Sequence, residues 1–280
     1  MGGNMELLKG KMISDRIRER TEKAMASFTD APCLVIVRVG DNPDDIAYEN
    51  GAAAKLKKWG IDVESRHFPV DISTKELAAA IKETCEDGWV SGILIMKPLP
   101  AHINDGVIND TIYPYKDVDG ISLINKGLVL TGGERCFAPC TAQAVVELLK
   151  GYDIPLKGKK VTIVGRSSVV GKPLAMLLLK EDATVTVCHT KTADLKKECQ
   201  EADILVVAAG RAGLIDKSYI RDHTVVIDVG INVDAEGNLC GDVDMTGMED
   251  MDIRITPVPG GIGTVTTAVL AENVVKAAAF

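Results

Sequence analysis

Short runs of β-branched and apolar residues alternate with helix-like stretches along almost the whole chain, and this alternation limits the folds open to it. Strands are predicted at Leu34–Val39, Ile61–Phe68, Gly92–Met96, Lys160–Val164, Thr184–Cys188, Ile204–Val207 and Val225–Val229. Helices are predicted at Asp45–Trp59, Thr74–Glu86, Thr141–Lys150, Val170–Lys180, Leu195–Glu201 and Thr264–Ala279. The pattern predicts an α/β fold with mostly parallel sheets, in which ligands bind beyond the carboxyl ends of the strands.

The chain is long enough for two domains, and one segment marks the boundary between them. Lys150–Gly158 is punctuated by glycine and proline, and a new strand–helix series starts directly after it. We therefore predict a domain boundary near residues 145–158.

Composition argues against several classes of protein. The chain has 280 residues and a formal net charge of −8, so we expect neither nucleic acid nor an anionic membrane as partner. No apolar run reaches the roughly 18 residues of a transmembrane helix, and Met1–Lys11 has no apolar signal core. Seven cysteines at scattered spacings fit a reducing cytoplasm better than a disulfide framework, and no metal site is predicted.

One loop has the features of a phosphate-binding turn. The predicted strand Lys160–Val164 leads into Gly165–Pro173, and a helix follows directly. A glycine turn at this place presents backbone N–H groups and the positive end of a helix to an anion. The glycines Gly165 and Gly171 are six apart, unlike the usual dinucleotide fingerprint, so a plain strand-to-helix turn is the alternative interpretation.

The residues after the next strand favour NADP over NAD. An NAD site would usually have an acidic residue there for the ribose 2′-hydroxyl. Here the strand ends in His189-Thr190-Lys191-Thr192, and Arg166 lies in the preceding loop. These cations and hydroxyls suit a 2′-phosphate, although Arg166 and Lys191 could also be solvated surface charges.

Several longer motifs occur in one order along the chain. They are Val39–Pro43 with Tyr48, Lys97–Pro100, Lys116–Gly120, Val164–Pro173, Asp228–Asn232, Gly241–Asp244 and Pro257–Gly263. Together these motifs resemble those of the methylenetetrahydrofolate dehydrogenase/cyclohydrolases, and the resemblance covers nearly the full length.

The resemblance implies two domains and a homodimer. Residues 1–145 and the returning helix 264–280 would carry the folate site, residues 146–263 a Rossmann-like NADP site, and the cleft between them the reaction. Residues implied at the dinucleotide are Gly165, Arg166, Ser167, Gly171, Thr190 and Ile231. Residues implied at the folate are Tyr48, Met96, Pro98, Leu99, Pro100, Asp119, Pro259, Gly260 and Gly261, with Tyr48 and Asp119 as the catalytic pair. Taken alone, Asp119 could be a turn residue and Tyr48 a half-buried helix aromatic.

The chain departs from the family pattern at four positions. The family has a lysine four residues after the tyrosine, and this chain has Ala52. Residues four apart share a helix face, so the site keeps the aromatic ring of Tyr48 and loses an amine. Met96 stands in place of a glutamine, while Ala142 and Thr264 stand in place of prolines.

The missing amine predicts an unequal effect on the two family reactions. Hydride transfer depends mainly on positioning, whereas hydrolysis of the methenyl cation needs proton transfers that a lysine suits. We therefore predict a dehydrogenase with weak or absent cyclohydrolase activity. The alternatives are replacement of the amine by Lys55 or Lys97, a reshaped folate pocket, and a dinucleotide-binding paralog without activity. No motif of a serine, cysteine or metal hydrolase is present.

Overall fold

The computed structural model describes residues 5–133, 135–234 and 236–280. Its strands, in chain order, are β1 (Glu6–Leu7), β2 (Cys33–Val39), β3 (Asp62–Phe68), β4 (Gly92–Ile95), β5 (Lys160–Val164), β6 (Thr184–Cys188), β7 (Ile204–Val207), β8 (Val225–Asp228), β9 (Asn232–Val233), β10 (Leu239–Cys240) and β11 (Arg254–Ile255). Its helices are α1 (Gly10–Met25), α2 (Pro43–Lys58), α3 (Thr74–Glu86), α4 (Asp105–Thr111), α5 (Leu123–Thr131), α6 (Cys140–Gly151), α7 (Gly171–Lys180), α8 (Leu195–Gln200) and α9 (Ile262–Ala277). The chain forms two compact units.

The three-stranded unit comprises residues 16–140 and 267–280. Its parallel sheet has the order β3-β2-β4, and every residue of the central strand β2 is buried. Local signals start the helices that flank this sheet. The Asn42 side chain accepts the Asp44 N–H ahead of α2, and Ser73 and Glu76 form a capping box at α3.

The last helix belongs to this same unit from Thr267 onward. Glu272 on α9 pairs with Arg20 on α1 through two contacts, Nε–Oε1 at 2.5 Å and Nη2–Oε2 at 2.9 Å. The helix predicted to return to the N-terminal domain is therefore confirmed.

The six-stranded unit comprises residues 5–15 and 141–266. Its parallel sheet has the order β1-β11-β8-β7-β5-β6, so the chain reverses direction across the sheet at β5, which lies between β6 and β7. In such sheets the ligand crevice lies at the carboxyl edge of this reversal. A buried apolar cluster that includes Leu205, Val226 and Ile255 forms its core.

The α/β class and the parallel sheets are confirmed, and the predicted strands agree with the observed ones to within one residue at either end. The structure adds elements that periodicity did not reveal, namely β1, α1, α4, α5, β9, β10 and β11. Residues 5–15 differ from the implied division, because β1 pairs with β11 and these residues belong to the six-stranded unit. The boundaries near residues 145 and 263 stay predictions of domain organisation.

Within the described ranges, no helix is long and apolar enough to cross a membrane.

Candidate functional site

The loop after β5 can only be built with glycine at two positions. Gly165 has φ of +133°, and a Cβ on it would lie 2.2 Å from the Ala208 carbonyl oxygen. A Cβ on Gly171, where α7 begins, would lie 2.1 Å from the carbonyl oxygen of Gly165. At these two glycines the backbone of the loop lies directly against the backbone of its neighbours, after β7 and at the start of α7. A side chain at either position would prevent this close approach.

The same loop turns directly into the start of a helix. Ser167 Oγ accepts the Val170 N–H at 3.0 Å, and the Ser167 carbonyl accepts the Lys172 N–H at 3.1 Å. The ten-residue helix α7 follows, and its first N–H groups carry the positive end of the helix dipole. This geometry suits a phosphate group.

Strand register brings the second dinucleotide motif to this loop. Val164 pairs with Cys188, and the Gly165 N–H donates to the Cys188 carbonyl at 2.9 Å. The exposed residues Thr190 and Lys191 follow at the end of β6, as exposed Arg166 and Ser167 do at the end of β5. The cations and hydroxyls predicted for a 2′-phosphate thus lie at one edge of the sheet.

Ile231 and the Pro259–Gly261 segment also lie in the six-stranded unit. Ile231 follows β8 and is 65% exposed. The Val258–Pro259 bond is cis, and the Gly260 carbonyl accepts the Gly10 N–H at 2.9 Å. A Cβ on Gly10 would lie 2.2 Å from the Gly261 carbonyl oxygen, so Gly10 is a supporting residue that sequence reasoning missed.

Tyr48 and Asp119 lie together in the three-stranded unit. Asp119 Oδ1 accepts the N–H of Cys140, the first residue of α6, at 2.9 Å. Burial, with a smaller contribution from Asp117, raises the pKa of Asp119 from 3.8 to about 6. Tyr48 is 40% exposed as a whole, and burial of its hydroxyl end, followed by the Asp119 charge, raises its pKa. The Tyr48 hydroxyl therefore lies near enough to Asp119 for the carboxylate charge to raise its pKa.

The two aspartates of the Lys116–Gly120 motif have different surroundings. Asp117 is fully buried, and its carboxylate accepts the N–H groups of Ile121 at 2.9 Å and Ser122 at 2.8 Å. It also accepts Asn125 Nδ2 at 2.8 Å. Asp117 therefore holds the loop, which leaves the partly exposed Asp119 available to a ligand.

The returning helix supports this loop through a residue that sequence reasoning missed. Asn273 Nδ2 donates to the Val118 carbonyl at 2.9 Å and lies 3.6 Å from Cys140 Sγ. Both contacts flank Asp119, and Asn273 is buried. No periodicity or motif points to such a contact, because it joins residues 155 positions apart.

The Pro-Leu-Pro loop follows β4. Met96 is buried and donates its N–H to the Val37 carbonyl at 2.9 Å, and the Lys97–Pro98 bond is cis. Leu99 packs against the buried apolar cluster beside the sheet, and Pro100 is half-buried.

Neither lysine proposed as a replacement amine is free. Lys97 Nζ pairs with Asp105 Oδ1 at 2.6 Å, and burial lowers the Lys97 pKa. Lys55 Nζ lies 5.4 Å from the ring centroid of Trp59, the residue that caps the end of α2. Ala52 itself is only 3% exposed.

Two other departures lie in the six-stranded unit. Ala142 is fully buried in α6, and Thr264 donates its N–H to the Gly261 carbonyl at 3.2 Å.

The chain matches two domain families and many known proteins along nearly its whole length. The catalytic domain of tetrahydrofolate dehydrogenase/cyclohydrolase matches residues 8–119, and the NAD(P)-binding domain of the same family matches residues 139–280. The bifunctional protein FolD of Clostridioides difficile is 50% identical over 275 residues, which cover 97% of this chain and 96% of that protein.

Solved structures agree with this assignment. The bifunctional FolD methylenetetrahydrofolate dehydrogenase/cyclohydrolase of Campylobacter jejuni has a TM-score of 0.94 at 41% identity, covering 98% of this chain and 99% of that one. The Trypanosoma brucei enzyme, solved with NADP and an inhibitor, has a TM-score of 0.92 at 30% identity, covering 100% and 98%. The chain therefore belongs to the tetrahydrofolate dehydrogenase/cyclohydrolase family, with an N-terminal catalytic domain and a C-terminal NAD(P)-binding domain.

Proposed function

We propose that this protein oxidises 5,10-methylenetetrahydrofolate to 5,10-methenyltetrahydrofolate with NADP⁺ and has weak or absent methenyltetrahydrofolate cyclohydrolase activity. The observation that carries the proposal is the composition of the Tyr48–Asp119 site. A hydroxyl and a carboxylate are present together, while the position one helical turn after Tyr48 is the buried methyl group of Ala52.

The folate roles follow from the chemistry of the side chains. Asp119 hydrogen-bonds the pterin, and Tyr48 lines the pocket and orients the reacting carbon. Met96 with Pro98–Pro100, and Pro259–Gly261, form the walls. We assign these roles from the motif resemblance and from the hydrogen-bonding capacity of each group.

The dinucleotide roles follow in the same way. Gly165 and Gly171 let backbone approach the pyrophosphate, and Ser167 and Ile231 contact the dinucleotide. Arg166 and Thr190, both exposed at the carboxyl edge of the sheet, suit a 2′-phosphate. The related T. brucei enzyme was solved with NADP, and NADP⁺, when bound, supplies the hydride acceptor.

The first reaction demands little proton chemistry from the protein. A folate nitrogen lone pair drives hydride loss from the methylene carbon, and the product cation is stabilised by the same nitrogens. Alignment of the two reactants is the main requirement, so the residues that hold folate and dinucleotide suffice.

The second reaction demands proton transfer. Water adds to the methenyl carbon and loses one proton. A ring nitrogen then gains a proton as its bond to that carbon breaks, and the hydroxyl group loses its remaining proton to form the formyl carbonyl. General acid–base help of this kind is worth about 10²–10⁴-fold in rate. Ala52 cannot supply it, and the amines of Lys55 and Lys97 contact Trp59 and Asp105 instead.

A paired assay on the purified protein tests the proposal. NADP⁺ and methylenetetrahydrofolate are mixed, and NADPH and the methenyl absorbance are followed together. We expect both to rise in step. Methenyl decay faster than its spontaneous hydrolysis would instead indicate a bifunctional enzyme that uses another group. No change in either signal would favour a dinucleotide-binding paralog, and NADPH formation only from another substrate would favour a reshaped pocket.

Two lysine variants on α2 sharpen the test. Ala52→Lys is expected to raise methenyl hydrolysis on the order of 10²-fold, because it restores an amine one turn from Tyr48. Ala54→Lys places the same charge at an exposed position of the same helix and should leave hydrolysis unchanged. Equal hydrolysis in both variants would contradict the role given to position 52.

We also propose that the protein is a cytoplasmic homodimer. The family resemblance supports the dimer, and the free thiols of all seven cysteines fit a reducing compartment. Light scattering coupled to size exclusion measures the oligomeric state directly.

A further inference from the structure

One buried carboxylate in the six-stranded unit, that of Asp242, accepts hydrogen bonds from the backbone N–H groups of a loop. Asp242 is fully buried. Its oxygens accept three successive N–H groups, those of Ala209 at 2.6 Å, Gly210 at 2.9 Å and Arg211 at 2.8 Å. They also accept Asn232 Nδ2 at 2.9 Å. Hydrogen bonds to an ionised group are about twice as strong as neutral ones, so this carboxylate holds its donors firmly.

A second carboxylate holds the segment that carries Asp242. Asp228, the last residue of β8, accepts the N–H groups of Asp242 at 3.0 Å and Val243 at 2.9 Å. It also accepts the N–H of Gly230 at 3.0 Å. The hydrogen bonds to Asp228 therefore fix the position of Asp242. The hydrogen bonds to Asp242 in turn fix the position of the Ala209–Arg211 loop.

Two glycines make this pair of carboxylates fit. A Cβ on Gly230 would lie 2.3 Å from Asp242 Cγ, and one on Gly241 would lie 1.8 Å from Asp228 Oδ2. The Asp242 carboxylate therefore packs against the backbone of Gly230, and the Asp228 carboxylate packs against the backbone of Gly241. Any side chain at Gly230 or Gly241 would push a carboxylate away from its donors.

The two held segments belong to one part of the dinucleotide crevice. Ala209–Arg211 follows β7 and Gly230–Asn232 follows β8, at the carboxyl edge of the sheet. In a doubly wound sheet the first strand–helix–strand half takes one mononucleotide and the second half takes the other. The β5 loop and the end of β6 form the first half here, so the loops after β7 and β8 would hold the nicotinamide mononucleotide.

We propose that Asp242 is a positioning residue for the nicotinamide half of the dinucleotide, acting through the backbone of Ala209–Arg211 and through Asn232. This inference rests on the dinucleotide placement proposed above. The Ala208 carbonyl, which lies against Gly165, ties the same loop to the phosphate turn. Displacement of the loop then misplaces the nicotinamide while the adenosine end keeps its contacts.

Asp242→Asn keeps the size of the side chain and removes one acceptor oxygen, so at least one loop N–H loses its partner. Dissociation constants are measured for NADP⁺ and for adenosine 2′,5′-bisphosphate, which carries only the adenosine half. We expect NADP⁺ to bind about tenfold more weakly or worse, with the bisphosphate unchanged. A role in general folding of the unit would weaken both ligands alike.

A matched control lies at the opposite end of the same strands. Asp203, directly before β7, accepts the N–H of Lys160, the first residue of β5, on its Oδ2 at 2.9 Å. Asp203→Asn therefore removes a carboxylate–backbone contact far from the crevice, and both ligands should bind as they do to the wild type.

The outcomes distinguish an error in the proposed cofactor from an error in the positioning role of Asp242. Failure of the wild type to bind either ligand would refute the proposed cofactor. Binding by the wild type with equal loss of both ligands, or no loss, in Asp242→Asn would overturn the positioning role. If Asp242→Asn does not fold, Asn232→Ala decides the question, since it removes a single donor. A loss confined to NADP⁺ supports the inference, and unchanged NADP⁺ affinity in that variant overturns it.

Discussion

Replacement of Asp119 by asparagine should stabilise the three-stranded unit at neutral pH while it impairs the enzyme. The asparagine oxygen can still accept the Cys140 N–H that Asp119 Oδ1 accepts at 2.9 Å. It carries no charge to desolvate. The cost that the wild type bears when this partly buried carboxylate ionises is therefore removed.

The size and sign of this change in the free energy of unfolding follow from the pKa of Asp119. Asp119 titrates at about 6 in the folded protein against an ordinary value of 3.8. A raised folded pKa favours folding below the unfolded pKa, and that contribution is lost as pH rises through the folded pKa. The full loss is about 3 kcal/mol, and the part lost between about pH 5 and pH 8 is about 1.4 kcal/mol. Asp119→Asn should lack this loss.

Urea unfolding followed by tryptophan fluorescence measures the stability of the three-stranded unit, to which Asp119 belongs. Both tryptophans, Trp59 and Trp89, lie in the three-stranded unit. The raised pKa of Asp228, also about 6, is common to wild type and variant and cancels in their difference. A variant whose advantage over the wild type does not grow from pH 5 to pH 8 would refute the reasoning. In the activity assay, Asp119→Asn should raise the folate KM about tenfold or more, because a charged acceptor is lost.

Three further predictions concern other residues. Gly165→Ala should weaken NADP⁺ binding at least about tenfold, with unchanged circular dichroism, because the loop must move to admit a Cβ; a ligand titration measures this. Asn273→Ala should lower the free energy of unfolding by about 1 kcal/mol, since the buried carbonyl of Val118 loses its amide donor and keeps only the weaker Cys140 thiol donor at 3.3 Å; urea unfolding measures this. Arg38→Met should cost about 3–5 kcal/mol because it leaves the buried Glu49 carboxylate without the guanidinium now 2.9 Å away. The double variant with Glu49→Leu should recover most of that loss in thermal unfolding.

Much of the architecture is readable from local sequence. Strands such as Ile204–Val207 are buried on both faces, so they appear in the sequence as unbroken runs of aliphatic residues. The phosphate loop is readable because its glycines stand at a fixed place between strand and helix. Ala52 is likewise read directly from the sequence, and the proposed weakness of the cyclohydrolase activity rests on it.

Other features escape such reasoning because they are made by contacts between distant residues. The two-residue strand β1 has no periodicity of its own and exists through pairing with β11, across 248 positions at Glu6 and Arg254. In the same way the raised pKa of Asp119 is produced by burial, which no local pattern encodes.

The α/β class, the order of the strands along the chain and the side chains available for chemistry are all encoded in the amino-acid sequence. How those side chains are used depends on the contacts that each of them makes in the folded protein. In the sequence, Lys55 and Lys97 are equally plausible replacements for the missing amine. In the structure, the Lys55 amine contacts Trp59 and the Lys97 amine pairs with Asp105. Asp228 and Asp242 read as two ordinary acidic residues until the fold surrounds each with backbone N–H groups. The physical reason is that burial and hydrogen-bond partners are properties of packing, whereas residue type and periodicity are properties of the chain.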